Sequence, residues 1–165
     1  MNEVKVLVIM GSASDNDTMC ECTKKLESFG IGYERHVASA HRTPDYATTL
    51  AKEAAGRGVK VIIAAAGGAA HLAGVLASMT HLPIIGVPMK GWALDGLDSL
   101  LSTVQMPRGI PVLTVAVGKA GAVNAAIAAL QILALSDKSF EEKLLKFRKD
   151  QTEDVLKETD RLNKA

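Results

Sequence analysis

Five β-rich runs, Val4–Ile9, Gly32–Val37, Val59–Ala65, Ile84–Val87 and Val112–Val117, alternate along the chain with segments of helical period. Several of these runs are apolar almost throughout, with no polar face. Such strands belong to a parallel sheet covered on both sides by helices. The helical segments are Asp15–Phe29, Thr43–Gly56, His71–Met79, Gly96–Ser102, Gly121–Leu135 and Ser139–Leu162. Thr43-Pro44-Asp45 reads as a helix start: an N-cap hydroxyl, a proline in the first turn and an acid favoured by the helix dipole. The regular β-α alternation predicts an α/β fold. Its expected form is a three-layer αβα sandwich on a doubly wound, parallel five-stranded sheet with flavodoxin-like strand order and an extra C-terminal helix. One domain is expected over 1–165, with a core from about 4 to 137 and the terminal helix from about 139 to 162.

Two helices stand apart from this pattern. Gly121–Leu135 has Asn124 and Gln131 as its only polar residues after the first turn, seven apart on one face. A helix apolar nearly all round is buried nearly all round, so its outer face is expected to meet another subunit. The tail from Ser139 onward carries seven acids and seven bases, many at i,i+4 spacing. It reads as a solvated or neighbour-clasping helix, with no role toward nucleic acid.

Composition narrows the classes further. The chain has 165 residues, 48% hydrophobic, with a formal net charge of +1, so no electrostatic footprint points to nucleic acid or an anionic membrane. Met1-Asn2-Glu3 runs into the apolar stretch Val4–Met10, too short for a signal peptide or a membrane span; a cytoplasmic protein is expected. Cys20 and Cys22 point to opposite faces of one helix, Cys22 toward the core with Met19, Leu26 and Phe29, so they read as reduced thiols.

The candidate chemistry follows the strands. Gly11-Ser12-Ala13-Ser14-Asp15 comes after the first, Ser39-Ala40-His41-Arg42-Thr43-Pro44 after the second, Gly67-Gly68-Ala69-Ala70-His71 after the third and Gly118-Lys119-Ala120-Gly121 after the fifth. In an open parallel sheet these loops gather at the carboxyl edge, where ligands bind. Ser12 and Ser14 beside free helix-start amides suit an anion; Asp15 would repel a phosphate and so caps the helix or accepts from ribose hydroxyls. The bland alternative is a plain cap with no ligand. Arg42 offers a planar, permanently charged fork for phosphate oxygens. Histidine ordinarily titrates at about 6.5, which makes His41 a candidate acid/base, whereas His36 within a strand and His81 in a turn read as structural. Gly67, Gly68 and Ala69 let a substrate approach the backbone closely. At the helix start that follows, His71 either donates a hydrogen bond as a neutral imidazole or simply caps and packs. Ala64-Ala65-Ala66 lacks the acid of a receiver domain, few aromatic residues are present to hold a flavin, and no GxxxxGK[ST], GxGxxG or metal-ligand spacing occurs. The residues alone thus suggest a metal-free pocket for a phosphorylated small molecule.

Met10-Gly11-Ser12-Ala13-Ser14-Asp15, Ser39-Ala40-His41-Arg42-Thr43-Pro44, the run AGGAAHL from Ala66 to Leu72 and the run QMPRGIP from Gln105 to Pro111 resemble, in order and spacing, the signature blocks of the PurE family. The likeness extends from about residue 4 to residue 150. It implies conversion of N5-carboxyaminoimidazole ribonucleotide to 4-carboxy-5-aminoimidazole ribonucleotide in purine biosynthesis, by decarboxylation and recarboxylation with one histidine as general acid/base. It also implies no metal, no organic cofactor and a homo-octamer of flavodoxin-like subunits with active sites at subunit contacts. By position, Ser12, Asp15 and Arg42 match the family's nucleotide-binding residues, His41 its catalytic histidine and His71 a second active-site histidine. The AGGAAH block resembles class I; class II members, which take free CO2, have an Arg-Ser-Asn-type sequence there. Ala73, where the family usually has proline, and the bulky Trp92 depart from the pattern. The competing readings are a direct carboxylase using free CO2 and a non-catalytic nucleotide-binding module.

Overall fold

The structure is a computed structural model that describes residues 3–91 and 93–164, so the departure noted at Trp92 and the first two residues of the N-terminal run lie outside it. The chain forms two compact units, residues 1–129 and 130–165.

In the first unit, β1 (Val4–Met10), β2 (Gly32–Val37), β3 (Val61–Ala66), β4 (Ile84–Pro88) and β5 (Leu113–Thr114) make one parallel sheet in the order β2-β1-β3-β4-β5. Helices α1 (Asn16–Ser28), α2 (Pro44–Ala54), α3 (Leu72–Ala77) and α4 (Leu97–Val104) follow the first four strands in turn, and α5 (Lys119–Ala134) follows β5. This is the flavodoxin-like doubly wound arrangement that the alternation predicts.

The unbroken apolar strands have the cause inferred for them. β3 and β4 are buried almost end to end, as is the second half of β1. On one face, Leu7, Ile9, Ile62, Ala64 and Ile84 pack with Ala47, Leu50, Ala51 and Ala54 of α2 and with Leu72, Ala73 and Leu76 of α3. The α2 set is spaced 3, 4 and 7, one helical stripe. Alternation along the strands sends Val6, Val8, Ile63 and Ile85 to the other face, all fully buried. The buried stripe of α1 is Met19, Cys22 and Leu26, with Phe29 just beyond its end, while Cys20 stays half-exposed. Each large side chain so buried contributes about 1.5–3 kcal/mol.

β2 lies at the sheet edge and is at most half-buried along its length, which accounts for its polar sequence. The His36 ring pairs with Tyr46 Oη at 2.8 Å and with Glu34 Oε2 at 3.4 Å, and Arg57 donates to the same Glu34 oxygen at 2.6 Å. Burial alone would raise the Glu34 carboxyl, but these two donors outweigh it and hold the pKa below the usual value. His36 thus lies in a hydrogen-bonded cluster outside the cavity lining, and His81 occupies an exposed bend.

β5 is shorter than the expected Val112–Val117. It pairs with β4 only through Ile85–Leu113 and Gly86–Thr114. The chain beyond still donates to β4, from Val115 N to Gly86 O at 3.1 Å and from Gly118 N to Pro88 O at 2.9 Å. No bond can return from Pro88, which has no N–H, so the ladder lapses there. Ala73 sits in the first turn of α3 and is 3% exposed within the core. A helix's first turn tolerates either alanine or proline.

The second unit holds the end of α5 and the helix α6 (Lys138–Asn163). Asp137 caps α6, accepting from Ser139 N at 2.9 Å. Along α6, Lys146–Asp150 and Lys149–Glu153 pair at i,i+4, each contact worth little at so exposed a surface. Among the described residues no helix is long and apolar enough to cross a membrane.

Candidate active site

The strand order reverses between β1 and β3, and open α/β sheets bind ligands at that switch point. Gly11 N donates to Ala65 O at 2.9 Å, which holds the ends of the two strands together there. A cavity of about 650 Å³ opens above them, lined by the loops after β1, β2 and β3 and by Ala93 and Asp98 from the segment after β4. Every predicted site residue faces it: Ser12, Ser14, Asp15, His41, Arg42, Gly67, Gly68, Ala69 and His71. The loop after β5 does not. Its strand lies at the far edge of the sheet, two strands from the switch point, and the β4 connection takes its place.

The first loop is closed by its own hydroxyls. Ser12 N donates to Asp15 Oδ2 at 3.2 Å, while Ser12 Oγ accepts from Ser14 N at 3.3 Å and from Ser14 Oγ at 2.8 Å. This is a capping box around a short 3-10 turn, Ala13–Asp15, that precedes α1. Asp15 thus caps the loop and leaves its second carboxylate oxygen for other partners. Burial pushes its pKa up, opposed by the Ser12 N–H.

The second loop is held by a serine and a threonine. Ser39 Oγ accepts from His41 N at 3.3 Å and Arg42 N at 3.2 Å, while Thr43 Oγ1 accepts from Ser39 N at 2.9 Å and donates to Ser39 O at 3.2 Å. Thr43 does take the N-cap position of α2, with proline following, but its hydroxyl makes no cap bond. It is committed to Ser39 instead. Arg42 Nη2 donates to Gly11 O at 3.1 Å, which ties the guanidinium to the first loop.

The third loop has no side chain larger than methyl before His71. Gly68 takes a left-handed φ of +62°, open to glycine at no steric cost. His71 occupies the N-cap position of the six-residue α3 without a side-chain cap bond. Its ring turns toward the second loop instead: His41 Nε2 and His71 Nδ1 are 2.7 Å apart, the rings edge to face at 83°. One of these nitrogens carries the hydrogen and the other accepts it. Among the described residues no cluster of three or more His, Cys, Asp or Glu side chains has metal-binding geometry.

Ser39, Asp98 and Ser102 were not singled out by sequence reasoning. Ser39 was visible within its motif, but two histidine-motif amides converging on its hydroxyl is a tertiary fact. Asp98 and Ser102 lie four apart on one face of α4, a spacing that reads equally well as solvent-facing.

Fold and site together define a doubly wound α/β protein with a polar cavity at the switch point, furnished with a permanent cation, a half-buried carboxylate and a hydrogen-bonded histidine pair. The chain belongs to the AIR carboxylase family, whose model matches residues 5–154. It is 55% identical over 153 residues to the N5-carboxyaminoimidazole ribonucleotide mutase of Pseudomonas aeruginosa, covering 93% of this chain and 94% of that protein. The corresponding figures are 56% over 152 residues, 92% and 95%, for the mutase of Saccharolobus solfataricus, and 52% over 155 residues, 94% and 96%, for that of Bacillus subtilis. A crystal structure of PurE from Treponema denticola superposes with a TM-score of 0.86 at 26% identity, covering 95% of this chain and 97% of that one.

Proposed function

We infer that the chain is an isomerase of purine biosynthesis that converts N5-carboxyaminoimidazole ribonucleotide to 4-carboxy-5-aminoimidazole ribonucleotide. The observation that carries this reading is the mutase name borne by relatives matching about 92–94% of the chain at 52–56% identity. The cavity supplies a matching chemistry. Proton donation to the substrate's carbamate nitrogen releases CO2 and leaves the aminoimidazole. C4 of that ring then attacks the CO2 carbon, and loss of the C4 proton restores aromaticity. One proton is given and one recovered, so a single acid/base group suffices.

We assign that role to His41, with His71 as its hydrogen-bonded partner. Arg42 and the Ser12–Asp15 loop hold the phosphate and ribose. Gly67, Gly68 and Ala69 form a wall without bulk, against which a neutral CO2 molecule is retained away from water. A single domain over the whole chain, a cytoplasmic setting and a homo-oligomer of eight subunits complete the proposal.

An isotope experiment separates this reading from direct carboxylation. Carbamate substrate labelled in the carboxyl carbon is supplied with modest excess unlabelled bicarbonate, against an enzyme-free control at early times. The mutase delivers most of the label to product, with no requirement for ATP. Label diluted to the level of the pool, with aminoimidazole ribonucleotide plus bicarbonate as the better substrate, would identify a direct carboxylase. Binding without conversion would identify a non-catalytic module.

A further inference from the structure

Within the loop that carries His71, the internal bond at its end is a backbone one, from His71 N to Ala69 O at 2.8 Å. From Gly67 to Ala70 the loop has no side-chain donor or acceptor, and its Gly68 and Ala70 are buried. Among the described residues, one side chain from outside the loop hydrogen-bonds its backbone. Ser102 Oγ, on α4, accepts from Ala70 N at 2.9 Å. Its hydroxyl proton has one close carbonyl, Asp98 O at 2.8 Å, with Gly68 O and Ser99 O each at 3.3 Å. The same hydroxyl therefore grips α4's own backbone and the Ala69–Ala70 peptide, whose carbonyl in turn accepts from His71 N. Ser102 is not part of the cavity lining.

α4 is built to bring that hydroxyl within reach. Ser99 is fully buried and Thr103 is 2% exposed. Ser99 Oγ lies 2.7 Å from Met89 O, and Thr103 Oγ1 donates to Ser99 O at 2.7 Å. Short hydroxylated residues let the helix lie close on β4, where Gly86 would place a Cβ 2.5 Å from Thr103 Cγ2.

We propose that Ser102 is a positioning residue of the active site, fixing the Ala69–Ala70 peptide one residue before His71 and so the contact between His71 and His41. This rests on the assignment of those histidines to the reaction. Removing the hydroxyl leaves a buried N–H without a partner, and the loop shifts to satisfy it. Because Ser102 lies off the cavity lining, kcat falls and KM holds.

The test compares Ser102→Ala, Ser102→Cys, which keeps the size but accepts poorly, and Ser102→Thr, which keeps the hydroxyl. Expected for Ala and Cys is a kcat loss of about 10- to 100-fold, KM within about threefold and an altered pH–rate profile, with Thr close to the parent. In ligand-free protein, imidazole nitrogen resonances of His41 and His71 shift and Ala70 amide exchange quickens in Ala or Cys, but not in Thr. Resonances and kcat unchanged in both Ala and Cys, even with a lowered melting temperature, would overturn the proposal. The resonance and exchange arms need no turnover. A parent that fails to convert the ribonucleotide therefore counts against the assigned reaction and leaves the anchoring claim to be decided separately.

Discussion

Two imidazoles 2.7 Å apart and a guanidinium tied to a neighbouring loop are the groups to which the proposal gives separate work in the cavity, and substitution should separate them. His41→Asn should abolish turnover while affinity for the ribonucleotide stays within a few-fold, because the proposal rests proton transfer and binding on different groups. Arg42→Ala should do the reverse, raising KM through loss of a charge-assisted contact worth about 1.5–3 kcal/mol with less effect on kcat. Steady-state kinetics with ligand titration reads both. Asp15 gives a pH prediction. Its folded pKa lies above the ordinary 3.8 because of burial, so the native state holds a proton that the unfolded chain has already released. Stability is therefore lost as pH rises through the window between the two values, and the cost persists at neutrality. Asp15→Asn, whose carbonyl can still accept from Ser12 N, should melt above the parent at pH 7, the gap closing as pH falls toward 3.8. Asp15, His41 and Arg42 were legible in the sequence because their motifs sit directly after strands. The His41–His71 contact was not, since nothing in two loops thirty residues apart states the distance between them.

Elements carry the next layer of consequence, most plainly where α4 meets β4. A methyl on Gly86 would stand 2.5 Å from Thr103 Cγ2, 2.8 Å from Val112 Cγ1 and 3.4 Å from Ala73 Cβ. Thr103 cannot swing aside without breaking its hydroxyl bond to Ser99 O. Gly86→Ala should cost about 1–3 kcal/mol by overpacking. Gly56, in the 3-10 turn Ala55–Arg57, has open space around the same position and no positive φ. Gly56→Ala should stabilise by about 0.4–1 kcal/mol. Chemical denaturation of the two variants beside the parent checks the opposite signs. The strand order could be anticipated because apolar runs and helical periods alternate without a break. The extent of β5 could not, because it depends on Pro88 in the neighbouring strand failing to donate. Nor could the role of α4, whose Asp98 and Ser102 look like any polar face until β4 and the His71 loop are brought beside it.

For the whole molecule, the surface of the first unit carries an uncovered apolar row. Leu97, Leu101 and Val104 lie at i, i+4 and i+7 along α4, each about half exposed, and Leu94 precedes them. This row is an apolar surface additional to the outer face of Gly121–Leu135, where the sequence leads to the expectation of a subunit contact. The α4 row escaped notice because an amphipathic stripe does not say which side of a helix meets the sheet. Self-association over such a row is the expected solution state, and light scattering that returned 17.4 kDa at micromolar concentration would contradict it. Cys22 has a different use. Burial pushes its thiol up to about 12, and the side chain is fully enclosed on α1. The native chain thus offers an alkylating reagent almost no Cys22 thiolate and no route to it. Cys22 reacts only when α1 leaves the sheet, so its modification rate, followed by mass spectrometry, is a clock for opening of the core that needs no denaturant, dye or substrate.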